Sequence, residues 1–376
     1  MTRSTLPLPT RFRVAERGLG AVLVSGLIML WWCVAQPARA QVPAEAPERA
    51  QEQAPLRLRI VGGLATVNQY TLHEEPFWTQ QLALASGGRY SATIAPFDRA
   101  GIRAQEMLAL VQTGVVPMGT LLLSVAAGSA PELAAPDLAG LNPDMATLRR
   151  TVAAFRPYLV ATLRQRRGIE VLAIYTYPAQ VTFCRQAFNG LQDLAGRRVR
   201  TSSITQSELF EALGSKPTPT TFAEIVPHVR SGNVDCVVTG AMAGHTLGLY
   251  EHTSHLHNMA VTWGLSAFVA HAASWNALPP DLKALLKREL PLLEQRIWDD
   301  AERETAAGAA CNLGASSCTL ARKGRMVDVE VTREDDALRR EIFAATVLPR
   351  WLQRCGAACA AVWNTTIGPV VGIAAR

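Results

Sequence analysis

Apolar and polar residues follow one another in short blocks that predict strands and helices in turn. Residues 56–61 (LRLRIV) alternate apolar and basic positions, as a half-buried strand does, and residues 70–86 carry apolar positions at helical spacing. A strand at 89–94, a helix at 103–112 and a buried strand at 115–120 follow, and glycines end both helices. The order β-α-β-α-β indicates a parallel sheet with helices on both faces.

The pattern restarts near residue 145 and predicts a second α/β half. The predicted elements are a long helix at 145–167, strands at 170–175, 180–184, 198–201 and 234–238, a helix at 207–213 and a helix from 221 to 229. Thr221 and Glu224 form a capping-box pattern at the start of the last of these helices. Two similar halves indicate two lobes around a cleft, with a ligand site near the carboxyl ends of the strands.

A further long helix is predicted at 281–310, directly after two prolines. Its leucines and Ile297 recur at a spacing that marks one buried stripe. A short strand at 326–331 and a final helical region complete the chain.

The N-terminus has the features of a secretory signal peptide, residues 1–40. A basic start is followed by an apolar run at 19–35 and by Ala-Arg-Ala at 38–40, which predicts cleavage before Gln41. The run is slightly long for a signal, so an uncleaved membrane anchor is the alternative. Residues 41–55 are rich in Pro, Ala, Glu and Gln and are predicted to be a flexible leader.

Removal of the predicted signal peptide would lower the net charge of the protein. The chain carries a formal +6, but its first 40 residues hold five arginines and one glutamate, so the exported part carries only +2. No basic stripe with interleaved aromatic residues is present, which argues against a nucleic-acid partner.

Six of the seven cysteines lie beyond the signal, and an even number in an oxidising compartment indicates disulfides. Six cysteines allow 15 pairings. Closeness in sequence favours Cys311–Cys318 and Cys355–Cys359, which leaves Cys184–Cys236. A zinc site is the alternative, but the C-x6-C and C-x3-C spacings fit zinc motifs poorly.

Three stretches resemble one known family. They are EMLALVQTG at 106–114, LQDLAGRRVR at 191–200 and TFAEIVPHVRSGNVD at 221–235. In order and spacing they are similar to the substrate-binding subunits of TRAP (tripartite ATP-independent periplasmic) transporters, of the DctP-like type. The resemblance covers residues 56 to 300.

The resemblance implies an α/β, two-lobed periplasmic solute-binding fold of type II-like form, each lobe a mixed sheet flanked by helices, with a long connecting helix. We expect lobe I to comprise residues 56–174 and 258–305. Lobe II is expected to comprise 175–257 and 306–376.

Arg200 is the first candidate for a ligand contact, because it matches the family's arginine that pairs with a substrate carboxylate. A planar guanidinium offers a carboxylate two parallel, charge-assisted hydrogen bonds. Gln180 departs from the pattern, since many members carry a second arginine there. A neutral amide at that position argues against a dianionic ligand.

Four further residues are weaker candidates for the cleft: Thr239, which follows a buried strand, Trp263, Asn68 and Tyr70. For Thr239 a plain turn is the alternative, and for Trp263 a place in the core. Cys236 replaces a family glycine and Cys184 a polar residue, a paired substitution that fits a disulfide between them.

The remaining chemistry argues against catalysis and against a metal. His245, His252, His255 and His257 lie close in sequence but complete no zinc motif, and solvated or capping roles are favoured. No nucleophile elbow, metalloprotease motif, phosphate-binding loop or dinucleotide fingerprint is present. We therefore expect no enzymatic activity and no cofactor.

The function that these observations favour is an extracytoplasmic subunit that captures a small organic acid and delivers it to integral-membrane TRAP transporter subunits. The expected location is the periplasm. A periplasmic ligand sensor, a binding protein of an ATP-driven transporter and a hydrolase on an α/β scaffold are the alternatives.

Overall fold

The structure, a computed structural model, describes residues 56–375. The predicted signal peptide, its cleavage site and the leader lie outside the described residues. Among residues 56–375, no helix combines the length and the apolar content that a membrane crossing requires.

Eleven strands form two sheets in the described part of the chain. The strands are β1 (Leu56–Gly62), β2 (Tyr90–Pro96), β3 (Met118–Leu122), β4 (Ile169–Tyr175), β5 (Gln180–Cys184), β6 (Arg198–Thr201), β7 (Lys216–Pro219), β8 (Cys236–Gly240), β9 (His255–Thr262), β10 (Ser266–His271) and β11 (Val327–Val329).

The first sheet has the order β2-β1-β3-β10-β4 and defines lobe I. Strand β1 runs parallel to β2 and β3, whereas β10 runs antiparallel to β3 and β4. The alternation predicted for β1 is seen directly, because Leu58 and Ile60 are buried while Arg57 and Arg59 are exposed. The antiparallel β10 makes this a mixed sheet.

The second sheet has the order β11-β9-β5-β8-β6-β7 and defines lobe II. Strand β5 runs antiparallel to β8 and β9, and β6 runs parallel to β7 and β8. Strand β7 contains Pro217 and Pro219, which cannot donate backbone hydrogen bonds, and it lies at the sheet edge where proline is tolerated.

Helices cover both sheets. They are α1 (Leu82–Ala85), α2 (Met107–Gln112), α3 (Leu123–Ala126), α4 (Met145–Arg167), α5 (Ile204–Ala212), α6 (Ile225–Arg230), α7 (Ala241–Thr246), α8 (Ala272–Asn276), α9 (Pro280–Leu313), α10 (Arg333–Ile342), α11 (Leu348–Cys355), α12 (Ala357–Thr365) and α13 (Ile367–Val371). Two π-helical segments, Gln69–Glu74 and Phe77–Gln81, run directly into α1. A third, Phe343–Val347, joins α10 to α11. The 3₁₀ segments are Ala104–Glu106, Pro131–Asp137, Leu191–Leu194, Phe222–Glu224 and Leu249–Glu251.

Three connections join the lobes. The chain crosses from β4 to β5 through residues 176–179 and returns from β9 to β10 through residues 263–265. The long helix α9 contacts both lobes: its Glu294 accepts the Ile174 N–H at 2.8 Å in lobe I, and Gly308 packs against α7 in lobe II. A Cβ at Gly308 would lie 2.3 Å from the Met242 nitrogen, so this helix contact requires glycine.

The C-terminal helices α10–α13 also contact both lobes. The Trp351 indole donates to the Pro131 carbonyl at 2.8 Å in lobe I. The Asp335 carboxylate accepts the Leu191 N–H at 2.7 Å in lobe II, and Arg350 pairs with Glu211 of α5 at 2.7 Å.

Three disulfides are present: Cys184–Cys236, Cys311–Cys318 and Cys355–Cys359. They are the pairs that closeness in sequence favours. Cys184 and Cys236 lie directly opposite each other on β5 and β8, with Cα atoms 4.1 Å apart, so the central strands of lobe II are covalently joined.

Candidate functional site

Arg200 lies in β6, between β7 and β8, and its side chain is buried in lobe II with 2% of the residue exposed. Its Nη1 donates to the Val238 carbonyl at 2.8 Å. Its Nη2 donates to the Thr220 carbonyl at 2.7 Å and its Nε to the Thr220 hydroxyl at 3.2 Å. These bonds hold the guanidinium beside the carboxyl ends of β7 and β8.

The guanidinium has hydrogen-bonding capacity left over. Of its five N–H groups, three are used by these bonds, so each terminal nitrogen keeps one N–H. No carboxylate among the described residues forms an ion pair with Arg200. Burial lowers the pKa of Arg200 to about 10, while the charge of the more distant Glu224 acts in the opposite direction. A buried cation in this state is stabilised by an anion that brings two acceptor atoms.

Among the described residues, the neighbouring Arg198, unlike Arg200, is paired with an acidic residue. Its Nη2 lies 2.5 Å from an Asp235 oxygen, and the side chain is largely exposed. The charge of Arg198 is therefore already neutralised by a partner, as expected for an ordinary surface arginine.

Gln180 begins β5 opposite Gly240, which places it at the end of the sheet where Arg200 lies. Its amide oxygen accepts from Gln206 Nε2 at 2.9 Å and from the Ser202 hydroxyl at 3.2 Å. Thr239 is buried in β8, next to the Val238 carbonyl that binds Arg200. The fold thus brings Arg200, Gln180 and Thr239 to one end of three adjacent strands.

The other three candidates do not belong to strands β5, β6 or β8. Trp263 is buried in the second lobe connection, where its indole donates to the Asn142 carbonyl at 3.0 Å. Asn68 donates to Glu304 of α9 at 2.5 Å. Tyr70 is buried against β1, and burial raises its pKa to about 12.

Glu74, which is not among the residues predicted from the sequence, has its carboxyl group buried in lobe I. It accepts the Gly63 N–H at 2.7 Å and the Thr120 hydroxyl at 2.9 Å, and it bonds to the Tyr175 hydroxyl. Burial raises the pKa of Glu74 despite these three bonds. The only sequence signal for this residue is that an acidic side chain stands among the apolar positions of the predicted helix at 70–86. Because Glu74 and Glu75 are adjacent, the pattern does not show which of them faces inward.

Three of the four clustered histidines make separate contacts within the fold. His245 bonds to the Arg322 carbonyl at 2.9 Å and His255 to the Ser254 hydroxyl at 2.8 Å. His257 differs from the solvated or capping role favoured above, because it is fully buried in β9, with Nε2 3.4 Å from Asp335. In the range 56–375, no group of three or more His, Cys, Asp and Glu side chains is arranged to hold a metal ion.

Asp137 supports the second lobe connection. Its carboxylate accepts the Trp263 N–H at 3.0 Å and the Gly264 N–H at 2.7 Å, so it holds the chain where β9 passes into β10. Burial raises the pKa of Asp137 to about 7, although the backbone hydrogen bonds act to lower it.

Replacing Asp137 with asparagine is expected to remove a pH dependence of stability. Because the folded state binds the Asp137 proton more tightly than the unfolded state, its contribution is fully present below about pH 4 and is lost as the pH rises through about 7. The free energy of unfolding of the native protein minus that of the variant should fall by on the order of 2–4 kcal/mol across this range. Urea unfolding at several pH values measures the difference, and a constant difference would contradict the assignment.

Comparison with known proteins agrees with this architecture. Residues 65–310 match the family model for bacterial extracellular solute-binding protein, family 7 (DctP). Among solved structures, a Bordetella pertussis extracytoplasmic solute receptor that binds pyroglutamic acid has a TM-score of 0.73 at 20% identity, covering 82% of this chain and 98% of that one.

Two further TRAP periplasmic solute-binding proteins have the same fold. One, from Desulfovibrio salexigens with bound orotic acid, has a TM-score of 0.73 at 16% identity and covers 84% of this chain and 98% of that one. The other, from Desulfovibrio desulfuricans with bound sn-glycerol-3-phosphate, has a TM-score of 0.69 at 14% identity, covering 85% and 99%. The match to the family model spans well over half of the sequence, and the two sheets, crossing connections and long helix agree with it: the chain belongs to family 7 of the bacterial extracellular solute-binding proteins, the DctP-type subunits of TRAP transporters.

Proposed function

We propose that this protein captures a small organic carboxylate between its two lobes and delivers it to the membrane subunits of a TRAP transporter. The observation that carries the proposal is the buried guanidinium of Arg200, which has one N–H left on each terminal nitrogen and no acidic partner among the described residues. A carboxylate supplies both missing acceptors and the missing charge at once.

The ligands of the similar structures support an anionic solute. Pyroglutamate and orotate are carboxylates and sn-glycerol-3-phosphate is a phosphate ester, so all three are anions at neutral pH. For this chain we favour a carboxylate, because Arg200 is the only cationic side chain among the three site candidates at the ends of β5, β6 and β8.

The proposed cycle needs binding and closure but no covalent step. In an open form the ligand enters between the lobes and pairs with Arg200. The lobes then close about the two chain crossings, while α9, which contacts both lobes, bends or shifts slightly. The closed form is the one that the membrane subunits bind, and the energy of uptake comes from those subunits.

We further propose that the N-terminal segment 1–40 exports the protein to the periplasm and is then removed. Three disulfides within residues 184–359 support an oxidising compartment. We propose the lobe boundaries given above with two adjustments: residues 258–262, which belong to β9 of the second sheet, go with lobe II, and Tyr175, in β4 of the first sheet, goes with lobe I.

A ligand screen by thermal unfolding tests the proposed function. The exported chain, residues 41–376, is heated with mono- and dicarboxylates, with the neutral amides of the same acids, and with sn-glycerol-3-phosphate. At 100 times its dissociation constant a bound carboxylate should stabilise the protein by about 2.7 kcal/mol, whereas its amide should have no effect. Stabilisation by the amides as well, or by the phosphate ester alone, would contradict a carboxylate site.

A further inference from the structure

The end of lobe I that faces the lobe connections holds a second polar group, distinct from the Arg200 side. The Tyr177 hydroxyl, in the first connection, is buried, and the buried hydroxyl of Ser266 at the start of β10 lies close enough to interact with it. Neither hydroxyl has another hydrogen-bond partner among residues 56–375. A hydroxyl can donate one hydrogen bond and accept two, so this pair keeps capacity for a ligand or water atom.

The Tyr177 hydroxyl and the Glu74 carboxyl face the same point. A Cβ built on Gly63 would lie 3.1 Å from the Tyr177 hydroxyl oxygen and 3.4 Å from Glu74 Oε1. Gly63 carries no side chain, so no side-chain atom of its own occupies the point between these two oxygens.

The hydrogen bonds of Glu74 decide what kind of atom fits. Oε1 interacts with the hydroxyls of Thr120 and Tyr175, whereas Oε2 accepts only from the Gly63 N–H. One acceptor position on Oε2 is therefore left, and a second carboxylate placed here would meet the oxygens of Glu74 in a buried site. An N–H or O–H donor is the matching group.

The ring of Tyr177 also lies near Gln180, which belongs to the second sheet. A Cβ at Gly264 would lie 2.9 Å from Gln180 Nε2 and 3.4 Å from Tyr177 Cδ2. The tyrosine ring therefore reaches from Gln180, whose amide oxygen bonds to Ser202, to the point beside Glu74. One aromatic ring thus lies between Gln180, at the Arg200 end of the second sheet, and the point beside Glu74.

We propose that Glu74 and Tyr177 form the second half of the ligand site and select a monocarboxylate that carries an N–H or O–H donor close to its acid group. This inference rests on the proposed function, since Arg200 is taken to bind the acid. It excludes dicarboxylates, because the second acid would face Glu74 on one side and only the neutral Gln180 on the other.

Matched ligand pairs test the donor requirement. Pyroglutamate is compared with the lactone in which a ring oxygen replaces the N–H, lactate is compared with its O-methyl ether, and succinate serves as the dicarboxylate. Dissociation constants are measured by calorimetry on the exported chain. We expect at least one donor-bearing acid to bind about tenfold or more tightly than its partner and than succinate.

Two variants test whether Tyr177 and Glu74 cause the preference for donor-bearing acids. Tyr177→Phe removes a hydroxyl whose only neighbour able to bond to it among the described residues is Ser266, so it should fold normally and lose most of the preference within the pair. Glu74→Gln should do the same if it folds. Tyr158→Phe, on the partly exposed face of α4, is the matched control and should keep the preference.

The outcomes separate this inference from the proposed function. If acids bind and Arg200→Ala abolishes their binding, but the donor-free analogues or succinate bind equally well, only the role of Glu74 and Tyr177 is wrong. A preference that Tyr177→Phe keeps at the size seen in the native protein has the same meaning. If no carboxylate binds at all, both proposals fall.

Discussion

Replacing Arg200 with alanine is expected to abolish carboxylate binding at ordinary ligand concentrations. The variant removes one partner of a buried, hydrogen-bonded charge pair, which costs about 2–5 kcal/mol, or roughly 30-fold to several thousandfold in dissociation constant. The loss should be large because the ligand's acid group would lose both N–H donors while remaining in a buried site. Calorimetric titration with the acid found in the thermal screen measures it.

Two control variants show whether the loss of binding is specific to the Arg200 guanidinium. Arg198→Ala removes an exposed arginine from the same strand, already paired with Asp235, and should change the dissociation constant by less than about threefold. Arg200→Lys keeps the charge but not the fork of donors, so it should bind weakly, with an affinity between those of the native protein and Arg200→Ala. An Arg200→Ala variant that folds and keeps the ligand-induced stabilisation would remove Arg200 from the site.

Removing the Cys184–Cys236 disulfide is expected to produce the largest loss of stability among the three bridges. The bridge closes a loop with a sequence separation of 52, and the chain-entropy model assigns such a loop about 4 kcal/mol. The double variant Cys184→Ala/Cys236→Ala also leaves space between two fully buried positions, which adds to the loss. Urea unfolding followed by circular dichroism gives the free energy of unfolding.

The matched control is Cys355→Ala/Cys359→Ala. Its bridge has a sequence separation of only 4, for which the same model gives about 2 kcal/mol. Equal losses in the free energy of unfolding of the two double variants would mean that loop entropy does not determine which disulfide contributes more to stability. Ligand affinity should survive in the Cys184→Ala/Cys236→Ala variant wherever it remains folded, because the hydrogen bonds between β5 and β8 still align Gln180 with Gly240.

The local signals in the sequence predicted many elements correctly. The stripe of leucines after Pro279-Pro280 predicted a helix at 281–310, and the structure has α9 at Pro280–Leu313 with those leucines buried. The pattern at Thr221 and Glu224 predicted a capping box, which is present. These features depend on residues within one or two turns of each other, so the sequence contains everything that decides them.

Two strands of lobe II were missed for a physical reason. Strand β9 contains His255, His257 and Asn258, and such polar residues conceal an apolar alternation. His257 can be buried there because Asp335, far away in sequence, lies opposite it. Strand β7 contains two prolines and is accommodated only because it lies at the sheet edge.

Sequence patterns were enough to predict the α/β class, the two halves and the long helix, and a family resemblance added the arginine most suited to hold an acid. Those features follow from local periodicity, capping and motif order, which short stretches of chain carry. The folded structure was needed to see that Arg200 is buried with no acidic partner among residues 56–375 and that Glu74 and Tyr177 approach one point beside Gly63. Burial and the meeting of side chains from distant segments depend on how the sheets and their crossings pack, and no local pattern contains that information.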